Sequence, residues 1–198
     1  MSFILSGSPA ISWKWLEMRL FYAVEVPEKL KHLLTNRLIS LKNLGRHVRP
    51  VSPDGIHLTL LFLGEQSKSD LDGILSHGRC AVSAARPCEL KIGPVGFFPN
   101  VSFLTLTGEL ATLRVVSSVL KDGCAEYLEK PDDRPFKAHV TLARHKEKIQ
   151  PVEKDRIREL FSDFEGLTWT ANELVLFESE LTSRGAIYTA IERFPFRG

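Results

Sequence analysis

At 198 residues, of which 43% are hydrophobic, the chain can bury a substantial core as one domain or as two small lobes. A net charge of +2 is too mild to mark a nucleic-acid binder by charge alone. Three cysteines without paired spacing exclude a disulfide framework and a cysteine zinc site, and no apolar run approaches the roughly 18 residues of a membrane span. A cytoplasmic monomer without membrane attachment is expected.

Gly7, Ser8 and Pro9 break up a short apolar start, so residues 1–17 read as an N-terminal extension, docked through Trp13 and Trp15 or disordered, ahead of a folded unit over 18–198. Residues 18–26 read as a strand. Pro27 then opens a helix carrying Leu30, Leu33, Leu34, Leu38, Leu41 and Leu44 at helical spacing until Gly45 ends it. Residues 46–50 form a connection or an edge strand. Residues 56–63 form a strand closed by Gly64. Ser69 is placed to cap a helix bearing Leu71, Ile74, Leu75 and Val82, weakened by Gly73 and Gly78. Two strands, 89–95 and 101–108, flank a loop at 96–100, and a helix runs on to about Tyr127. After a polar turn at 131–135 come a strand over 138–143, a short charged helix near 152–161, and strands over 173–177 and 186–194. This order predicts an α+β fold: bilobal, with two pseudo-symmetric, mainly antiparallel sheets, helices on their outer faces and a groove between them.

Two of these strands carry one pattern, His57-Leu58-Thr59-Leu60 and His139-Val140-Thr141-Leu142, 82 positions apart. Strand side chains alternate between faces, so His57 projects with Thr59, and His139 with Thr141. The same offset carries 19–24 onto 101–106 and the helix over 27–44 onto 109–126, as a duplicated half-domain would. Side by side, the two strands present two imidazoles that exchange protons near neutral pH and two hydroxyls that hold an anionic oxygen. That is equipment for phosphodiester chemistry without a metal or other cofactor.

The segments 18–21, 57–64, 96–99, 133–136, 139–144 and 176–179 resemble those of the RNA 2′,3′-cyclic phosphodiesterases, the 2′-5′ RNA ligase-like family of the two-histidine phosphoesterases. The resemblance runs from Met18 to the C-terminus. Ala138 stands where that family often has a proline, and Asn100-Val101-Ser102 lacks its frequent Pro-Arg character. Membership implies a bilobal fold and metal-independent hydrolysis of RNA 2′,3′-cyclic ends to 2′-phosphates. It implies His57 as proton donor and His139 as proton acceptor, although the near-symmetry of the motifs allows the opposite assignment. Thr59 and Thr141 would hold the phosphate oxygens.

Arg144 is a phosphate candidate by resemblance, yet it lies five residues beyond His139 and on a regular strand would point to the other face unless a bulge or turn after Leu142 redirects it. Phe97 and Phe98 could stack on a base or simply pack the core. Lys42, Arg46, Arg49, Arg134, Lys137, Lys146 and Lys148 flank the motif strands, where each is either an RNA backbone contact or a solvated cation. His32, His47, His77 and His145 belong to no motif. The substrate expected is RNA with a 2′,3′-cyclic phosphate end, the alternatives being a small cyclic phosphate or nucleotide and a non-catalytic RNA- or nucleotide-binding module.

Overall fold

The computed structural model describes residues 17–130, 134–183 and 185–197. The expected extension therefore lies outside the described residues, apart from Glu17, which already pairs with Ser67 as the first residue of a strand.

Among the described residues, nine strands form two antiparallel sheets. In chain order these are β1 (Glu17–Glu25), β2 (Val48–Pro50), β3 (His57–Ser67), β4 (Cys88–Phe98), β5 (Val101–Gly108), β6 (His139–His145), β7 (Thr168–Ala171), β8 (Glu173–Thr182) and β9 (Gly185–Pro195). The first sheet has the order β3-β1-β8-β9 and the second β2-β6-β5-β4-β7. β3, at the edge of the first sheet, packs beside β6 of the second, so the two motif strands become neighbours across the junction.

The helices α1 (Glu28–Leu41), α2 (Leu71–Ala81), α3 (Ala111–Gly123) and α4 (Pro151–Leu160) cover the sheets. Pro27, fixed at φ −56°, precedes α1, and its carbonyl accepts from the N–H groups of Leu30 and Lys31. Leu30, Leu34, Leu38 and Leu41 form the buried stripe of α1, each contributing about 1.5–3 kcal/mol by leaving water. α1 follows a strand of the first sheet but packs on β2 and β6 of the second, whereas α3 follows β5 of the second and packs on β3 of the first. This exchange of helices ties the sheets together around one main core.

Several expected elements shift. β3 does not stop at Gly64: this glycine adopts φ +80° and the chain pairs with β1 through Ser67, because a residue without Cβ accepts that turn at no steric cost. Ser69 does not cap α2; its N–H donates to Ser67 Oγ in a short 3₁₀ turn ahead of the helix. The expected loop at 96–100 is mostly strand, β4 running to Phe98. β7 was not foreseen, since four residues are too few to show a period. The turn at 131–135 falls largely outside the described residues. No helix among the described residues is long and apolar enough to cross a membrane.

Candidate active site

Each motif strand carries a bulge at the same place in its pattern. Opposite β1, Leu61 pairs with Tyr22 and Thr59 with Ala23, which leaves Leu60 as an extra residue in β3. Opposite β5, Ala143 pairs with Ser102 and Thr141 with Phe103, which leaves Leu142 extra in β6, again 82 positions on. A bulge reverses the parity of the strand beyond it. Leu60 and Leu61 are consequently both buried, and His57, Thr59 and Phe62 share the outer face; in β6, Leu142 and Ala143 are both buried, and His139, Thr141 and Arg144 share it. Arg144 thus emerges on the histidine side.

Both displaced carbonyls find donors: the Ser117 hydroxyl donates to Leu60 O at 3.0 Å, and the Val51 N–H to Leu142 O at 2.9 Å. Satisfying these groups makes a bulge in a buried strand tolerable. β1 and β5 are themselves related by 80 positions, not 82: Ala23, Val24 and Glu25 face Thr59, Leu58 and His57, while Phe103, Leu104 and Thr105 face Thr141, Val140 and His139.

His57 sits among rings. Phe21 lies 4.8 Å from it, Tyr188 5.3 Å away edge-on and Phe177 6.4 Å away, centroid to centroid. Burial among them pushes its pKa down to about 4, helped by the positive fields of Lys31 and Arg144 and opposed by Glu25, its cross-strand neighbour. The imidazole is therefore neutral at pH 7. Its depressed pKa also sets a stability trend: the unfolded chain, with an ordinary histidine pKa of 6.5, takes up the proton first, so stability present above pH 6.5 is lost as pH falls toward 4. Urea midpoints measured across that interval should decline with acidity, and His57→Phe should flatten part of the decline. An unchanged slope in the variant would contradict the assigned burial.

His139 is held differently. Its Nδ1 donates to the Lys137 carbonyl at 2.7 Å, which leaves Nε2 clear of that bond, and its ring meets Phe98 and Phe103 edge-on at 5.3 and 5.1 Å.

Two hollows open along the junction. One, of about 720 Å³, holds His57, Thr59, Arg144 and Tyr188; the other, of about 570 Å³, holds His139, Phe98 and Lys137. They meet at Thr59 and Phe62, which line both. Thr141 is partly buried on the His139 face of β6 but lines neither hollow. Among the described residues, no cluster of three or more histidine, cysteine or acidic side chains has the arrangement to hold a metal ion.

Residues 41–182 match the family model described as the 2′-5′ RNA ligase superfamily. The RNA 2′,3′-cyclic phosphodiesterase of Thermus thermophilus is 35% identical over 195 residues, an alignment covering 91% of either chain. The chain belongs to the 2′-5′ RNA ligase superfamily. Another relative, the RNA 2′,3′-cyclic phosphodiesterase of Archaeoglobus fulgidus, is 31% identical over 182 residues, covering 89% of this chain and 99% of its own. A crystal structure from Thermus thermophilus superposes with TM-score 0.73 at 33% identity, covering 91% of this chain and 99% of that one. The crystal structure of E. coli LigT complexed with 3′-AMP, 22% identical with TM-score 0.69 over 92% of this chain and 99% of LigT, shares the fold.

In this superfamily member, one expected contact turns away from the site. Phe97 alternates to the far face of β4, where it packs against the core under Lys154 and Arg158, whose charged groups lie 5.4 and 5.2 Å from its ring. Phe98 is the aromatic beside His139. Of the flanking cations, Arg49 and Lys146 line the larger hollow, and Arg134 and Lys137 the smaller. His145 is buried with its Nε2 3.1 Å from Ser102 Oγ and borders the larger hollow, and His47 pairs with Glu153 at 2.8 Å. Tyr188 and Phe177 carried no motif of their own. Only the 176–179 segment hinted that β8 belonged to the site, and nothing local to Tyr188 marked it.

Proposed function

We propose that this superfamily member hydrolyses the 2′,3′-cyclic phosphate at the 3′ end of RNA to a 2′-phosphomonoester by paired-histidine acid–base catalysis, with no metal required. The observation that carries the proposal is the packing of β3 beside β6, which sets the histidine sides of two HxTx strands along one junction, with Arg144 turned to that side by the Leu142 bulge. Opening the ring needs water to lose a proton as it attacks phosphorus and the 3′ oxygen to gain one as its bond breaks. In the proposed division His139 Nε2 accepts the first proton and His57 donates the second. His57 must then acquire its proton together with the anionic phosphate, since burial among rings keeps it neutral at pH 7 on its own and a neighbouring negative charge favours the charged form. Thr59, where the two hollows meet, orients the non-bridging oxygens, and Arg144 supplies a planar pair of donors to the charge that builds there.

RNA is favoured over a small cyclic phosphate because two connected hollows leave room on both sides of the phosphate, where a mononucleotide needs one. With a free 5′ hydroxyl in place of water, the same two proton transfers would join a 2′,3′-cyclic end to it through a 2′-5′ bond, the hydroxyl giving its proton to His139 as His57 protonates the departing 3′ oxygen. The test is a short RNA ending in a 2′,3′-cyclic phosphate, incubated in EDTA and resolved chromatographically. Conversion to the 2′-phosphate is expected; no conversion, or turnover of free cyclic nucleotide alone, would overturn the RNA-end reading.

A further inference from the structure

The antiparallel register of β2 and β6 sets Arg49 directly opposite Arg144. Side chains so paired lie about 4.5–5.5 Å apart at Cβ, where like charges repel. Lys146 follows two residues beyond Arg144 and lines the same hollow. Among the described residues, no carboxylate pairs with Arg49, Arg144 or Lys146, and no Asp or Glu lines this hollow. Other cations nearby are occupied: Arg19 has Glu65 at 3.6 Å and lies over the Phe62 ring, Lys137 lies over Phe98, and Lys121 donates to the Arg134 carbonyl. Positive charge without a carboxylate partner therefore gathers on the β2 side of the larger hollow, where two guanidiniums stand opposite each other on neighbouring strands with an ammonium beside them.

The cyclic phosphate brings a single negative charge, which Arg144 and His57 meet. Arg49 and Lys146 are left over. An RNA strand brings a second negative charge one nucleotide away, at the phosphodiester on the 5′ side of the cyclised nucleotide. We propose that Arg49 and Lys146 form a subsite for that upstream phosphate, so that the enzyme selects oligonucleotide ends over free cyclic nucleotides. This inference rests on the cyclic-phosphodiesterase reading above and names which RNA feature beyond the reacting ring is recognised. The β2 edge holds the subsite open, because Arg49 has a strand neighbour on one side only.

The test compares kcat/KM for three probes: adenosine 2′,3′-cyclic phosphate, the same compound with a 5′-phosphate, and a diadenylate ending in the cyclic phosphate. Charge-assisted hydrogen bonds to one phosphate should favour both phosphate-bearing probes over the first by about tenfold or more. The ratio should fall by about tenfold in Arg49→Gln and further in the Arg49→Gln/Lys146→Gln pair. Rates on the phosphate-bearing probes should also fall more steeply with salt, by about one extra unit in the log–log slope. Because the readout is a ratio within one protein, a partly unfolded variant does not mimic the effect. Equal kcat/KM on all three probes, a gain seen only with the second base, or a ratio that Arg49→Gln leaves unchanged would each overturn the subsite while the phosphodiesterase reading stands. Failure of the parent on every probe would overturn that reading and the subsite with it.

Discussion

Alanine at either His57 or His139 is expected to lower kcat/KM on a cyclic-phosphate RNA end by about 10² to 10⁴, the usual worth of one positioned proton transfer. The double variant should lose little more than the worse single one, because each imidazole works only when the other completes the exchange. The two side chains stand on different elements and are held by different means, His57 by a box of Phe21, Phe177 and Tyr188 and His139 by its bond to the Lys137 carbonyl. Removing one therefore leaves the other's setting in place, and the loss should appear mainly in kcat with modest change in KM. The parent's kcat/KM should be bell-shaped in pH, since one ring must be charged and the other neutral. A single sigmoid, or either alanine variant within a few-fold of the parent, would defeat the paired scheme.

Arg144→Ala should cost about 10² or more in kcat, the scale on which a single preorganised donor to developing charge is measured. Arg144→Lys should recover only part, since an ammonium cannot reproduce the planar fork that meets two phosphate oxygens at once. The effect depends on the Leu142 bulge, which turns the guanidinium to the histidine side. The corresponding residue of the other motif strand is Phe62, 82 positions earlier, and its ring lies under Arg19 rather than over a phosphate contact of its own. The pseudo-symmetry thus breaks at one position, with the guanidinium on one motif strand and a ring on the other. Full activity in Arg144→Ala would remove it from the reaction and leave the phosphate to the hydroxyls and imidazoles.

Strand alternation and helical spacing are local properties, so the amino-acid sequence by itself determined the pairing of His57 with Thr59 and of His139 with Thr141, the leucine stripe of α1, the α+β class and the family. It also stated the condition on Arg144, that a bulge or turn after Leu142 was needed to bring it round. Whether that bulge exists was beyond its reach, because a bulge is a mismatch between two strands and is stabilised from outside them, here by Ser117 on α3 and by Val51. For the same reason the two-residue slip between β1 and β5 is invisible in a fixed offset, and Phe97 and Phe98 could not be told apart until the end of β4 was seen to continue as strand. Tyr188 reaches His57 from a strand more than a hundred residues away, and Arg49 meets Arg144 only through the β2–β6 register. Such contacts arise from pairing and closure over long stretches of chain, which leave no period in the sequence, and tertiary structure alone decided them.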